Sequence, residues 1–431
     1  MKKTIYILFV LLMVGFNVHA QWSEQNSGST ATLTSVYSLD NSNVWVCGYT
    51  GVVLRTTNGG INWINCTGNG IPTNVSLINI TGIPGVSTAA LTAGYSGSNT
   101  WVWRTTNGGA NWTQVFTEVG FINAICMFSA TNGFMTGDPA GGRWSLWKTT
   151  NGGANWDSAG MYLPQVGAEA GWNNALCFAS SKIWFGTNST KIYYSSNSGS
   201  SWTGLPTTGE LNSYAIWFHP QLMDGYGLFG GSTLWQTSNN GSNWSMLTSL
   251  GAGNFGGITS TPLPVDNLIQ PAWYVRTSNI IYYSSNFGAN WIAEYTNPAS
   301  MQYRHISMAY PGRGLWAVGT VGKISYHTPL PTNIKNITTE VPYQFSLRQN
   351  YPNPFNSTTN IEFVVAGQSS HSVTLKVFDI TGREVAALVN EVLNPGTYQV
   401  RFDAANLTSG VYFYTLTAGD YKQTKKLLLA R

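Results

Sequence analysis

Beyond residue 20 the hydrophobic positions fall in short runs closed by Gly, Asn, Ser and Thr, which is the pattern of β-strands and tight turns. Residues 121–128 read as an inner strand, 133–137 as a second and 144–148 as a third, and Trp156 opens a fourth. Between the third and fourth lies a phrase, [Ser/Thr]-x-Asn-x-Gly-x-x-Trp, that occurs at 56–63, 105–112, 149–156, 195–202, 237–244 and 284–291. Subtracting successive Trp positions gives steps of 49, 44, 46, 42 and 47 residues. Four strands per forty-odd residues, repeated at a near-constant period, predict the blades of a β-propeller.

Each part of the phrase has a structural role. Asn58, Asn107, Asn151, Asn197, Asn239 and Asn286 can fold their amides onto nearby backbone. Gly60, Gly109, Gly153, Gly199, Gly241 and Gly288 accept a positive φ. Trp63, Trp112, Trp156, Trp202, Trp244 and Trp291 turn back into the unit, where burying one large apolar side chain contributes about 1.5–3 kcal/mol. A seventh unit, 314–319 followed by 323–328, has no such phrase and no fourth strand. Residues 21–25, Gln-Trp-Ser-Glu-Gln, look like the segments that follow the phrase, so the N-terminal strand is expected to close the last blade. The expected fold is all-β: a seven-bladed propeller over 21–330, then a linker over 331–341 and an Ig-like β-sandwich over 342–431.

Composition changes this picture little. Charged residues are 9% of the chain against 47 Gly and 18 Trp, which suits a turn-rich exported protein and excludes a disordered one. Residues 1–20 have the basic start, short apolar run and Val18-His19-Ala20 end of a signal peptide. Its loss takes Lys2 and Lys3, lowering the net charge from +4 to 4 − 2 = +2. No basic block precedes the C-terminus, so nucleic acid is not an expected partner. Cys126 and Cys177 occupy matching slots and Cys47 and Cys66 non-neighbouring strands of one unit, so all four are expected as free, buried thiols.

The repeated phrase resembles the Asp box, or BNR repeat, of sialidase-like and photosystem-assembly-factor-like β-propellers, with Asn where the box usually has Asp. In that family the box is structural and lies opposite the ligand face. The C-terminal segment resembles the type A C-terminal sorting domain of the type IX secretion system. The matching residues are Asn350-Tyr351-Pro352-Asn353-Pro354-Phe355-Asn356, Val377 to Arg383, Gly396-Thr397-Tyr398, Ser409 to Tyr414 and Lys425 to Leu429. This resemblance implies export across both membranes by the type IX machinery, cleavage of the domain, and release or anchoring to surface lipopolysaccharide.

The search for chemistry yields less. The propeller holds ten carboxylates: Glu24, Asp40, Glu118, Asp138, Asp157, Glu169, Glu210, Asp224, Asp266 and Glu294. No acid, nucleophile and arginine set of the sialidase kind is evident among them, so no catalytic residue is assigned. His219, His305 and His327 lack metal-ligand spacing, and 251–256 fits Gly-x-Gly-x-x-Gly without a following helix, so neither metal nor cofactor is expected. The loops on the face away from the boxes leave a candidate ligand surface: Asp138, Arg143, Tyr162, Glu169, Trp172, Arg276, Tyr303 and Arg304. Aromatics with a few polar groups suit a glycan or protein ligand. The leading reading is an exported binding module, with a propeller glycoside hydrolase and a structural adhesion component as alternatives.

Overall fold

The structure, a computed structural model, describes residues 22–430 apart from 220–224, 262–270, 300, 310–313, 328–333, 339–341, 368–370, 394 and 405–406. The expected signal peptide, Gln21, Asp224 and Asp266 lie outside the described residues.

Seven antiparallel sheets succeed one another along the chain. In the first blade, Leu33–Ser38, Val44–Gly48, Val53–Thr56 and Ile64–Asn65 lie side by side in chain order. The other six inner strands are Ser76–Ile83, Ile122–Met127, Gly171–Ala179, Ala215–Phe218, Phe255–Ser260 and Tyr303–Met308. Consecutive inner strands pack on one another, and the seventh packs on the first. The N-terminal strand Trp22–Gln25 closes the ring, pairing antiparallel with Ile324–His327 so that Trp22 faces His327 and Gln25 faces Ile324.

The third blade departs from the expected meander, because its fourth strand is broken in two. Asp157 exchanges both backbone hydrogen bonds with Lys148 at 2.9 Å. The chain then bulges outward and rejoins the edge where Trp144 N donates to Leu163 O (2.9 Å) and Gln165 N to Gly142 O (2.9 Å). Met161 and Leu163 are buried beneath the bulge, so much of 157–174 is a sheet edge, and its end is the next inner strand.

All six boxes share one hydrogen-bond scheme. The Ser or Thr hydroxyl donates to the Asn side-chain oxygen and accepts from the Asn and Gly backbone N–H groups. The Asn oxygen also accepts from the backbone N–H four residues on, as Asn107 does from Asn111 (3.0 Å). Only acceptor oxygens are required there, which explains why Asn serves in place of Asp. The box Gly has φ between 79° and 94°.

Each box Trp packs into the wall against the preceding blade: Trp63 between the seventh and first, Trp112 between the first and second, and so on to Trp291 between the fifth and sixth. The wall between the sixth and seventh has no box, and Trp22 fills it.

The C-terminal region is two four-stranded sheets. One contains Thr358–Val365 and Gly396–Asp403, the other His371–Phe378, Gly410–Ala418 and Tyr421–Leu429. Ile361, Phe363 and Val365 on one sheet and Val373, Leu375 and Val377 on the other alternate inward to a shared core, as a sandwich requires. The expected linker differs: Ile334–Thr338 within it is a strand, paired with Gly396–Asp403.

Candidate functional site

The seven inner strands enclose a cavity of about 930 Å³ around the propeller axis. Its lining runs down these strands and beyond them to the turns at Leu39, Asp40, Pro84, Gly85, Phe128 and Ser180. Those turns lie on the box face, where box backbone N–H groups bond to them, as Gly59 N does to Ser42 O and Ser198 N to Ser181 O.

At the other end the axis is crossed by one side chain. The strand Gly171–Ala179 bulges between Gly171 and Leu176, and Asn174 takes φ 61° there. Asn is among the few side chains that adopt this conformation readily. The Asn174 oxygen accepts from Asn79 Nδ2 (2.7 Å) and Ser35 Oγ (3.1 Å), and its Nδ2 donates to Ile78 O (3.3 Å) and Thr34 O (3.4 Å). Asn79 in turn accepts from Ile125 N (3.1 Å), so one amide pair ties the first four blades together across the axis.

The described cavity wall is mostly apolar, with several aromatic side chains. Tyr37, Phe128, Phe178, Trp217 and Met308 line it, with Phe128 and Phe178 4.7 Å apart by ring centroids. Cys126 and Cys177 line it too and are half-buried, so the matching slots are cavity wall rather than closed core. Burial pushes the Cys177 thiol up to about 12 and the Cys126 thiol well above its ordinary value. Burial, assisted by Cys126, raises the Tyr37 hydroxyl to about 12, and burial lowers His305 to about 4. Near neutral pH all four are uncharged. Cys47 and Cys66 are free and buried in the wall between the first and second blades.

Asp40 is the one carboxylate in the lining among the described residues, and Ser42 N (2.7 Å), Asn43 N (2.7 Å) and Asn43 Nδ2 occupy it.

The residues singled out on the opposite face fall into two sets. Glu169 is buried, accepts from Trp144 Nε1 (2.9 Å) and Tyr193 OH (3.0 Å), and meets Lys191 Nζ at 2.6 Å. Burial raises its pKa, but Lys191 and the other donors outweigh it and hold the carboxyl below its ordinary value. Arg276 is buried over Phe255 and donates to Gly253 O (2.6 Å) and Ser249 Oγ (2.9 Å). Tyr303 is fully buried against Ser325 Oγ (2.7 Å). Asp138 is half-buried and accepts from Gly171 N (2.8 Å), and burial raises its carboxyl pKa. These four brace the blades.

Arg143 and Tyr162 are exposed, the latter by 65%. Arg304 is partly exposed and donates to Gln302 (3.3 Å), and Trp172 packs against Tyr214 with centroids 4.5 Å apart.

In the sandwich, the sequence 349–355 clasps the C-terminal strand. Phe355 N donates to Leu428 O (3.0 Å), Ala430 N to Phe355 O (2.9 Å) and Leu428 N to Asn353 Oδ1 (2.9 Å). Asp379 organises the 379–383 turn, accepting from Thr381 Oγ1 (2.6 Å) and Arg383 Nε (3.0 Å), and its carboxyl is held at about 2, chiefly by the Thr381 hydroxyl.

Fold and clasp define a β-propeller carrying an export module. Residues 349–430 match the family described as "Secretion system C-terminal sorting domain", which marks the chain for secretion by the type IX system across the outer membrane, to the cell surface or beyond. No curated protein sequence matches the chain. Among solved structures, "YCF48 bound to D1 peptide" and "YCF48 from Cyanidioschyzon merolae" each align with TM-score 0.56 and 16% identity, covering 72% of this chain and 97% and 99% of theirs. The WD40 β-propeller domain of Doa1 aligns with TM-score 0.55 and 9% identity, covering 72% of this chain and 97% of its own. At these identities the likeness is one of fold.

Proposed function

We propose that this protein is a binding module delivered to the cell exterior, which holds a protein or glycan ligand without hydrolysing it. The observation that carries this reading is the state of the carboxylates. Among the described residues Asp40 stands alone in the cavity lining, and Asp138, Glu169 and Glu210 on the opposite face are committed to Gly171, to Lys191 and Trp144, and to Ser232. A glycosidase needs two carboxyl groups about 5–9.5 Å apart and open to substrate. An adhesion strut needs no concave site, and the axial cavity weighs against that alternative.

Of the side chains that remain on the face away from the boxes, Arg143 and Tyr162 are exposed and Trp172 and Arg304 partly so, and they offer cationic and aromatic contacts to such a ligand. A similar propeller was solved with a peptide, which makes extended protein segments the first ligand class to try.

The purified mature protein, applied to peptide and glycan arrays and to a fluorogenic glycoside panel, tests the reading. Binding that Tyr162→Ala and Arg304→Ala weaken, with no turnover, is expected. Turnover that disappears in Asp138→Asn would overturn it.

A further inference from the structure

The axial cavity lies on the box side of Asn174, apart from the exposed residues just discussed, and it has the attributes of a separate small-molecule site. Its volume of about 930 Å³ falls within the roughly 300–1,000 Å³ of ligand pockets, and it is a built enclosure with contributions from all seven blades. Asn174 closes the far end, and its amide is saturated by its four hydrogen bonds.

The wall specifies the chemistry of an occupant. Among the described residues no Lys, Arg or Glu lines it, and Asp40 is already satisfied at the rim. An ionic ligand would lose its hydration without gaining a counter-charge, at a cost no contact there offsets. Several lining residues have hydrogen-bonding groups with no protein partner among the described residues, among them the Tyr37 hydroxyl, the Trp217 indole N–H, the Thr259 hydroxyl and His305 Nε2. The indole can only donate, and a hydroxyl retaining its proton donates as well. Such donors suit an acceptor, and around them the lining combines rings, thiols and aliphatic chains with hydroxyls such as those of Ser38, Thr259 and Ser307.

We propose that the central cavity binds a neutral, largely apolar small molecule bearing a carbonyl or other uncharged acceptor.

The test uses the purified mature protein and two naphthalene dyes of similar size: Prodan, which is neutral and carries a ketone, and ANS, which carries a sulfonate. Prodan is expected to bind one per chain with a blue-shifted emission, and ANS about ten-fold more weakly or worse. Leu176→Trp in the fourth blade and Met308→Trp in the seventh both fill the cavity and should each weaken Prodan at least about ten-fold while thermal unfolding stays cooperative.

Tyr37→Phe leaves the volume unchanged. It should weaken Prodan by about three- to ten-fold, the loss of one hydrogen bond to the ketone, and move the bound emission further to the blue. This variant decides the matter should neither filled variant fold. Failure of Prodan to saturate, equal or tighter binding of ANS, unchanged Prodan affinity in a folded filled variant, or no effect of Tyr37→Phe would each overturn the proposal. Since the array ligands are assigned to the other face, loss of their binding and loss of dye binding are separate outcomes.

Discussion

Six walls of the propeller are wedged by a Trp that a box delivers from within the same blade, whereas the seventh is wedged by Trp22 from the far end of the chain. The two solutions hold their rings differently. The indole N–H groups of Trp112, Trp156, Trp202, Trp244 and Trp291 have no partner among the described residues, so turn geometry and packing fix these side chains, while Trp63 beside the closing strand donates to Gln25 Oε1 (3.2 Å). Trp22 instead donates to Glu294 (2.7 Å), which also accepts from Trp273 Nε1 (2.9 Å), and stands edge-on to His327 at 5.0 Å. Nearby Glu24 accepts from Tyr295 OH (2.9 Å) and Ser325 Oγ (2.6 Å). A local turn can aim a ring by itself. A strand arriving from afar, held by four backbone register pairs, needs polar stitching to do the same.

Replacing the wedges separates the two modes. Trp22→Ala removes the ring, takes one of two indole donors from the part-buried Glu294 carboxylate and loosens the closing strand, so it should cost about 3–5 kcal/mol. Trp156→Ala, in a half-buried box position, should cost roughly half as much. Urea midpoints of the two variants measure the difference, and equal values would mean that ring closure does not run through Trp22. Next in size is Gly109→Ala. Its φ of 83° disfavours an L side chain, and the added Cβ would lie 2.5 Å from Cys66 Sγ. Left-handed strain of about 1–2 kcal/mol and overpacking of about 1–3 kcal/mol together predict a loss of roughly 2–5 kcal/mol in the same assay.

The sequence was most readable where structure is local and repeated. The boxes, the seven units and the partner of the closing strand all follow from residue patterns, since each box carries its own hydrogen-bond scheme. What escaped is non-local. Asn174 looks like one of many loop asparagines until Ser35 and Asn79 from other blades meet it. Glu169 reads as a surface acid, yet Lys191, Trp144 and Tyr193 converge to bury it. Met161 and Leu163 look like loop residues because Pro164 follows and the break in the third blade's edge has no periodic signature. Residues 334–338 sit among prolines and polar residues, and only the distant strand Gly396–Asp403 makes them a strand.

The box Asn probes what the six local wedges require. Asn107→Leu deletes an acceptor for Thr105 Oγ1 (3.0 Å) and Asn111 N (3.0 Å) at a solvent-exposed turn and should cost about 1 kcal/mol. Asn107→Asp keeps the acceptor and should stay within about 0.5 kcal/mol of the parent near neutral pH. Its new carboxyl would be stabilised in the charged form by both donors, giving a folded pKa below the unfolded one. Any stability it adds is therefore present above the unfolded pKa and lost as pH falls through the folded one, a dependence the parent box lacks. Thermal melts of both variants across acid to neutral pH check the sign.

The smallest effect tests the residue just before the box Gly. That position is also left-handed: Gly59, Gly108 and Gly152 take φ of 68–73°, but Ser198, Asn240 and Phe287 adopt 55°, 60° and 50°. Ser198 is exposed, and its side chain has no hydrogen-bond partner among the described residues, so its strain is not repaid locally. Ser198→Gly removes strain of about 1–2 kcal/mol but loosens the unfolded chain by about 0.5–1 kcal/mol, leaving a net gain of roughly 0.5–1 kcal/mol. Phe287→Gly would relieve the same strain yet empty a buried site between the fifth and sixth blades, so it should destabilise. Opposite signs for these two substitutions, read from unfolding midpoints, would establish that the box tolerates left-handed side chains only where packing holds them. A loss in both would place the control in the turn's hydrogen bonds instead.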